Sequence, residues 1–240
     1  LVPSQTELLA DLGLGEQLVG ITKFCVHPAY LRKEKKIVGG TKKVNFEKIK
    51  VLSPDIILCN KEENTFEMVQ ELEKIAPVHI SDIKTIDDTL ELISQYGKIF
   101  GVEAKALQLS SEISQEMMDF LDYVEGQPLK KIAYFIWKDP WMAAGGDTFI
   151  DHILELNKYQ NVFNEENSRY PEVELKRIRS KEVEVIFLST EPYPFNEEHR
   201  AELQRLFKDC RIAIVNGEFF SWYGSRLRIA FSYFKSLRAF

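Results

Sequence analysis

Cysteine and histidine are scarce in this sequence, a net positive charge and long apolar runs are lacking, and each shortage removes a class of protein. Only three cysteines occur in 240 residues, Cys25, Cys59 and Cys210. An odd number is no disulfide framework, and their spacing matches no zinc pattern. One bridge stays open to them, and Cys59, inside the apolar run "PDIILCN", reads as a small core residue. The four histidines, His27, His79, His152 and His199, are scattered, whereas a bare metal ion needs them clustered with carboxylates. No apolar run reaches the roughly 18–20 residues of a membrane span. With 31 Lys and Arg against 37 Asp and Glu, the net charge is −6, which argues against a nucleic-acid binder, because phosphate contacts need a positive surface. Catalytic signatures are missing too: there is no G-x-S-x-G elbow, P-loop, Rossmann glycine pattern or H-E-x-x-H. "AAGGDTF" ahead of a helix offers an anion a helix N-terminus, but a turn plus a cap explains it equally well. No catalytic residue and no resident metal are therefore expected. A small-molecule-transforming α/β enzyme is the first alternative to weigh, and a bare metal-ion binder the next.

What is present is an ordinary globular composition, 45% hydrophobic and 28% charged, at a length that allows one large or two small cores. Helix-like and strand-like stretches alternate. "SQTELLADLGL" places Leu8, Leu9 and Leu12 on one helical face, with Ser4 or Thr6 as cap. Leu1 and Val2 read as the tail of a strand whose start is missing, as in a mature or trimmed chain, so the lack of a leader says nothing about compartment. "VNFEKIKVLSPDIILCN" reads as helix, turn and buried strand; continuous apolar runs suit strands covered on both faces, as in a parallel sheet.

The rhythm breaks from Thr85 to about Tyr123, where the pattern is helical almost throughout. Its second helix, with Leu107, Ile113, Met117 and Leu121 along one side, would span roughly 30 Å. The α/β rhythm then resumes with "KIAYFIW". Val44–Asn60 also lies over Val173–Ser189 without a gap, and "SQTELLADLGL" over "GDTFIDHILEL", pairing Thr6 with Thr148. The expected fold is α/β: two Rossmann-like lobes, residues 1–101 and 127–240, joined by one long backbone helix at 102–126, with the ligand cleft between lobes.

In open α/β sheets, ligands sit beyond the carboxyl ends of strands. Thr41 follows "IVGG", Asn60 follows "IILC", Trp137 and Trp141 follow "YFI", and Phe219, Phe220, Trp222, Tyr223 and Arg226 follow "IAIVNGE". All three tryptophans thus lie just past strand ends. Flat rings plus a cation suit a large, planar, partly anionic ligand. In "GEFFSWYGSRL", Gly217 and Gly224 would turn the chain, Phe219 or Phe220 would pack inward, and Trp222 or Tyr223 would face the ligand. Arg226 would grip an anionic group in a two-pronged contact. The other reading is that Arg226 pairs with a nearby carboxylate and holds the loop.

The blocks "LVPSQTELLADLGLGEQLVGIT", "VNFEKIKVLSPDIILCN" and the "GSRL" after an aromatic run resemble, in order and over essentially the whole chain, the class III or helical-backbone substrate-binding proteins of bacterial ABC importers. That family carries vitamin B12, haem and iron–siderophore complexes, and the likeness is nearest to the vitamin-B12-binding type. The resemblance implies ligand contacts at Phe24, with His27 beside it, at Tyr170 in "RYPE" and at Arg226. Thr41 and Asn60 stand where the B12-binding type has tryptophans, so the first lobe's site is the more polar. It implies permease docking through Glu47; the second docking position falls on Lys176, with Glu172 and Glu174 close by. It further implies a monomer with no intrinsic cofactor, whose ligand is a cobalt corrinoid, an iron–siderophore or haem. Its partners would be an ABC permease and ATPase, and its place the periplasm or, by a lipid anchor, the outer side of the membrane.

Overall fold

The computed structural model describes residues 1–238. The chain folds as two α/β units, residues 1–115 with 222–228, and residues 116–221 with the helix from Ile229 onward. The boundary runs inside the long helix and inside the aromatic stretch near the C-terminus.

The first unit contains α1 (Pro3–Asp11), β1 (Gly20–Thr22), α2 (Leu31–Glu34), β2 (Lys36–Gly39), α3 (Phe46–Leu52), β3 (Ile57–Asn60), α4 (Phe66–Leu72), β4 (Val78–Ser81) and α5 (Ile86–Phe100). β1 pairs in parallel with β2, and β3 with β4. Each strand is followed by a helix, the arrangement that parallel pairing requires. A cavity of about 120 Å³ lined by Val2, Leu9, Val38 and Ile57 lies in this unit. The Leu1 amino group donates to the Leu58 carbonyl at 2.7 Å.

α1 starts at Pro3 with Val2 as cap residue and no side-chain cap. Proline serves at the first position because its missing N–H is one the helix leaves unpaired anyway. The expected caps Ser4 and Thr6 lie inside the helix, and the Thr6 hydroxyl donates to the Val2 carbonyl at 3.0 Å. Thr148, by contrast, does cap its helix, accepting from the Asp151 N–H at 3.0 Å. The Thr6–Thr148 pairing is therefore out of register.

The other alignment holds. Ile49 and Ile57 are buried in the first unit and Ile178 and Ile186 in the second, at matching places in a helix-then-strand pair. α5 opens with a Thr85–Asp88 capping box and closes on Gly101 at φ +66°, which punctuates it from α6 (Glu103–Val124). The buried side of α6 is Ala106, Leu109, Ile113, Phe120 and Val124, while Leu107 and Leu121 of the expected stripe are exposed. The seam follows the i, i+3, i+7 rows, and Leu107 sits one position off it.

The second unit comprises β5 (Lys130–Trp137), β6 (Met142–Ala143), α7 (Phe149–Leu156), β7 (Tyr159–Asn161), α8 (Lys176–Ser180), β8 (Val185–Ser189), α9 (Glu197–Leu206), β9 (Arg211–Val215), α10 (Glu218–Ser221) and α11 (Leu227–Arg238). Its five-stranded sheet runs β6-β5-β8-β9, with β7 also on β5. All pairs are parallel except β5–β6. β8 is buried at every position, the continuous apolar strand of a sheet covered on both faces. All three cysteines are free thiols.

Candidate strand-end sites

In the first unit the strand ends are polar and closed on themselves. The Gln5 amide, on the first turn of α1, donates to Ser81 Oγ at 2.6 Å and to Tyr223 Oη at 3.0 Å, and accepts from Tyr96 Oη at 2.7 Å. Asn60 accepts from the backbone N–H groups of Glu62 and Glu63 and donates to the Ser81 carbonyl at 3.1 Å. Asn64 donates to the Thr41 carbonyl at 2.8 Å. Thr41, Asn60 and Tyr223 are buried. Burial holds both the Tyr96 and the Tyr223 hydroxyls well above the ordinary phenol range, so both stay protonated and keep their places in the network. Glu63 sits at the margin, half-buried. Desolvation pushes its carboxyl up, with Lys42 pulling partway back.

Beside this network lies a charged stack. Arg226 clasps Glu7 with two bonds, Nε to Oε2 at 2.9 Å and Nη2 to Oε1 at 2.7 Å. The same guanidinium lies 4.9 Å over the Trp222 ring, which meets His27 edge-on at 5.5 Å and 73°. Arg226 and Trp222 are buried. Desolvation holds the Glu7 carboxyl above its ordinary range, and the Arg226 charge and hydrogen bonds offset this only in part. Phe24, two residues past the end of β1, is 49% exposed, with the Lys23 ammonium over its ring at 4.9 Å.

"GEFFSWYGSRL" is thus divided. Its first half is a helical turn, α10, rather than an open loop. Phe220 packs among Tyr134, Phe187 and Phe234 in the second unit's core, and Phe219 stacks on Tyr233 at 4.6 Å. Trp222, Tyr223 and Arg226 belong to the first unit. Gly217 is needed for space: a Cβ there would meet Ser189 Oγ at 2.3 Å. Gly224, at φ +103°, is the residue that turns the chain.

In the second unit the strand ends carry rings. Trp137 ends β5 and is 40% exposed. Tyr193 meets it edge-on at 5.4 Å and 71° and meets Phe195 at 4.7 Å. Trp141 stacks on Phe195 at 5.7 Å and 12°. Such edge-on and offset pairs are the favoured arrangements of rings. Lys138 lies 5.5 Å over Trp141 and pairs with Glu202. Pro140, Pro192 and Pro194 are exposed around the group. Tyr170 is half-buried on the segment that reaches β6 through the Met142–Glu172 bridge.

The structure therefore joins Trp137 and Trp141 in one cluster and Trp222 and Arg226 in another. Tyr193 and Phe195 went unread in the sequence, although "TEPYPF" directly follows the β8 run "VIFLS" and the strand-end rule points to it. Gln5 and Glu7 carried no signal of their own, since polar residues in a first helical turn are commonplace. Among the described residues no group of three or more His, Cys, Asp or Glu converges as metal ligands.

Glu47, in the first turn of α3, is exposed and pairs with Lys50 at 2.7 Å. In the second unit Glu172 and Glu174 are exposed, and Glu174 pairs with Lys176.

Known proteins share this organisation. The vitamin B12-binding protein of Pectobacterium carotovorum is 25% identical over 236 residues, covering 96% of this chain and 83% of that protein. An ABC transporter substrate-binding lipoprotein of Bacillus subtilis, YvrC, is 27% identical over 169 residues, covering 67% of this chain and 53% of that one. The crystal structure of the periplasmic vitamin B12 binding protein BtuF of Vibrio cholerae superposes with a TM-score of 0.87 at 19% identity, over 100% of this chain and 94% of that one. A periplasmic haem-binding protein of Pseudomonas aeruginosa does so with a TM-score of 0.84 at 18% identity, over 98% and 90%. At these identities the two structures speak for the fold. The family model described as periplasmic binding protein matches residues 1–210, a family of solute binders and not of enzymes, and the chain belongs to it.

Proposed function

We propose that this protein is the substrate-binding component of an ABC importer and that it captures a metal chelate: a cobalt corrinoid, a ferric siderophore or haem. The observation that carries the reading is Trp137, a tryptophan 40% exposed at the end of a central strand, backed by Tyr193, Phe195 and Trp141. An exposed flat ring braced by other rings offers a rigid apolar face at little entropic cost, which suits a large ligand with an apolar rim. On the second unit Tyr170 adds a half-buried ring; the first unit, taken by itself, displays Phe24, with Lys23 over it. The names of the relatives point to vitamin B12 and haem as ligands of those proteins.

Within this reading the buried groups Thr41, Asn60, Trp222, Tyr223 and Arg226 shape the first unit's strand ends, and Trp137 of the second unit touches the chelate. The protein acts as a monomer, in the periplasm or anchored by lipid outside the membrane, beside a permease and its ATPase. Glu47 on one unit and Glu172 or Glu174 on the other meet basic residues of the permease. Absorbance titration with cyanocobalamin, haemin and a ferric hydroxamate tests the capture. Saturable binding of one of them supports it, and binding of none rejects it. Glu47→Lys is expected to weaken stimulation of the reconstituted transporter's ATPase while leaving chelate affinity unchanged. Loss of both together would make Glu47 structural.

A further inference from the structure

The second unit's ring cluster contains one polar group whose direction can be read from its neighbours. Tyr193 is tied to the end of β5 by its backbone N–H, which donates to the Ile136 carbonyl at 3.3 Å. Its ring stands between Trp137 and Phe195, with exposed Pro192 and Pro194 on either side. Its hydroxyl lies 3.2 Å from His199 Nε2. The other nitrogen of that imidazole, Nδ1, lies 3.1 Å from the backbone N–H of Asn196, as part of the capping box that starts α9.

A backbone N–H can only donate, so Nδ1 accepts and carries no proton. In the neutral ring the proton then sits on Nε2, and Nε2–H donates to Tyr193 Oη. The phenol oxygen is thereby the acceptor of that bond, and its own hydrogen is left to point elsewhere. Among the described residues no other group lies within hydrogen-bonding distance to accept it.

We propose that Tyr193 donates a hydrogen bond to the chelate on this ring surface, with His199 holding the hydroxyl as acceptor on one side so that it donates on the other. The recognised group is a hydrogen-bond acceptor on the chelate's rim, a carbonyl or carboxylate oxygen, beside the apolar face that rests on Trp137. The inference rests on the reading of the Trp137 surface as the chelate site, and adds to it the polar contact that fixes orientation, which an apolar pocket needs for specificity. Tyr193 contacts the ligand in this account; His199 is a positioning residue.

Two measurements decide it. In the ligand-free protein at pH 7.5, long-range proton–nitrogen NMR correlation should show His199 protonated on Nε2. Protonation on Nδ1 would overturn the inference, because the phenol proton would then be spent on Nε2. Titrations of Tyr193→Phe with cyanocobalamin, haemin and a ferric hydroxamate should show roughly tenfold weaker binding of any of these that the wild type binds, with an unchanged melting temperature. Trp137→Ala is run alongside. Weakening by Trp137→Ala with none by Tyr193→Phe overturns this inference alone. No weakening by Trp137→Ala overturns the ring-surface reading, and binding of none of the three probes overturns both.

Discussion

Thr41, Asn60, Ser81 and Tyr223 end or cover the first unit's strands, and each is buried with its polar groups engaged inside that unit. At the second unit's strand ends, Trp137, Tyr193, Phe195 and Trp141 lean on one another by ring edges and faces, and Trp137 keeps two-fifths of its surface in solvent. The difference follows from what burial demands. A buried amide or hydroxyl must be hydrogen-bonded, or it costs one to several kcal/mol, so a polar network packed this tightly consumes its own capacity. A ring satisfied along one edge still has a face to offer. Both units place side chains where parallel sheets ordinarily present them, yet the first unit's polar strand ends are engaged within that unit, Phe24 apart, whereas the second leaves a ring face at Trp137 in solvent.

The contrast can be broken most decisively at Arg226. Its partner Glu7 is only 16% exposed, and removing one member of a buried pair strands the other charge, at a cost of about 3–5 kcal/mol. Arg226→Ala should lower the denaturant midpoint accordingly, with chelate affinity unchanged in the fraction that folds. A variant of full stability and lost affinity would move Arg226 from scaffold to ligand contact. At Trp137 the expectation is reversed. Trp137→Ala should weaken chelate binding about tenfold, about 1.4 kcal/mol, while shifting the melting temperature little, because the ring is already largely solvated on one side. If stability falls and affinity holds, the ring cluster is core.

The smallest effect sharpens the first unit. The Glu63 carboxyl is held above the ordinary range by desolvation, so the folded state binds its proton more tightly than the unfolded chain, whose value is about 4.3. Stability from this group is complete below that value and is lost as pH rises through the folded one. Glu63→Gln should therefore raise the melting temperature at pH 7.5, with the gain vanishing near pH 4. An equal gain at both pH values would assign the effect to packing instead of ionisation.

The architecture was legible because it rests on periodicity. The helix expected at 102–126 is Glu103–Val124, and the strands "IILC" and "KIAYFIW" are β3 and β5. Details set by single contacts were less so. The α6 seam could not be separated from Leu107 by pattern alone, since its true seam includes the small Ala106, which carries no hydrophobic signal of its own. At the sites, the strand-end rule located Trp137 and the final aromatic stretch, but exposure was invisible to it. Whether Trp222 faces solvent depends on Arg226 and His27 reaching it, and these are separated from Glu7 and from each other by up to 219 positions. Tyr193 lay within reach of the same rule, in "TEPYPF", whereas the bond between His199 and Asn196 that orients it is a matter of cap geometry.

In the proposed reading a metal chelate rests on Trp137, the exposed ring of the second unit's cluster. Parallel absorbance titrations of the wild type and Trp137→Ala with cyanocobalamin, haemin and a ferric hydroxamate test it most directly. Saturable one-to-one binding of at least one of these by the wild type is expected, with binding about tenfold weaker in the variant. Equal affinity in the two proteins, or no binding of any of the three, would contradict it.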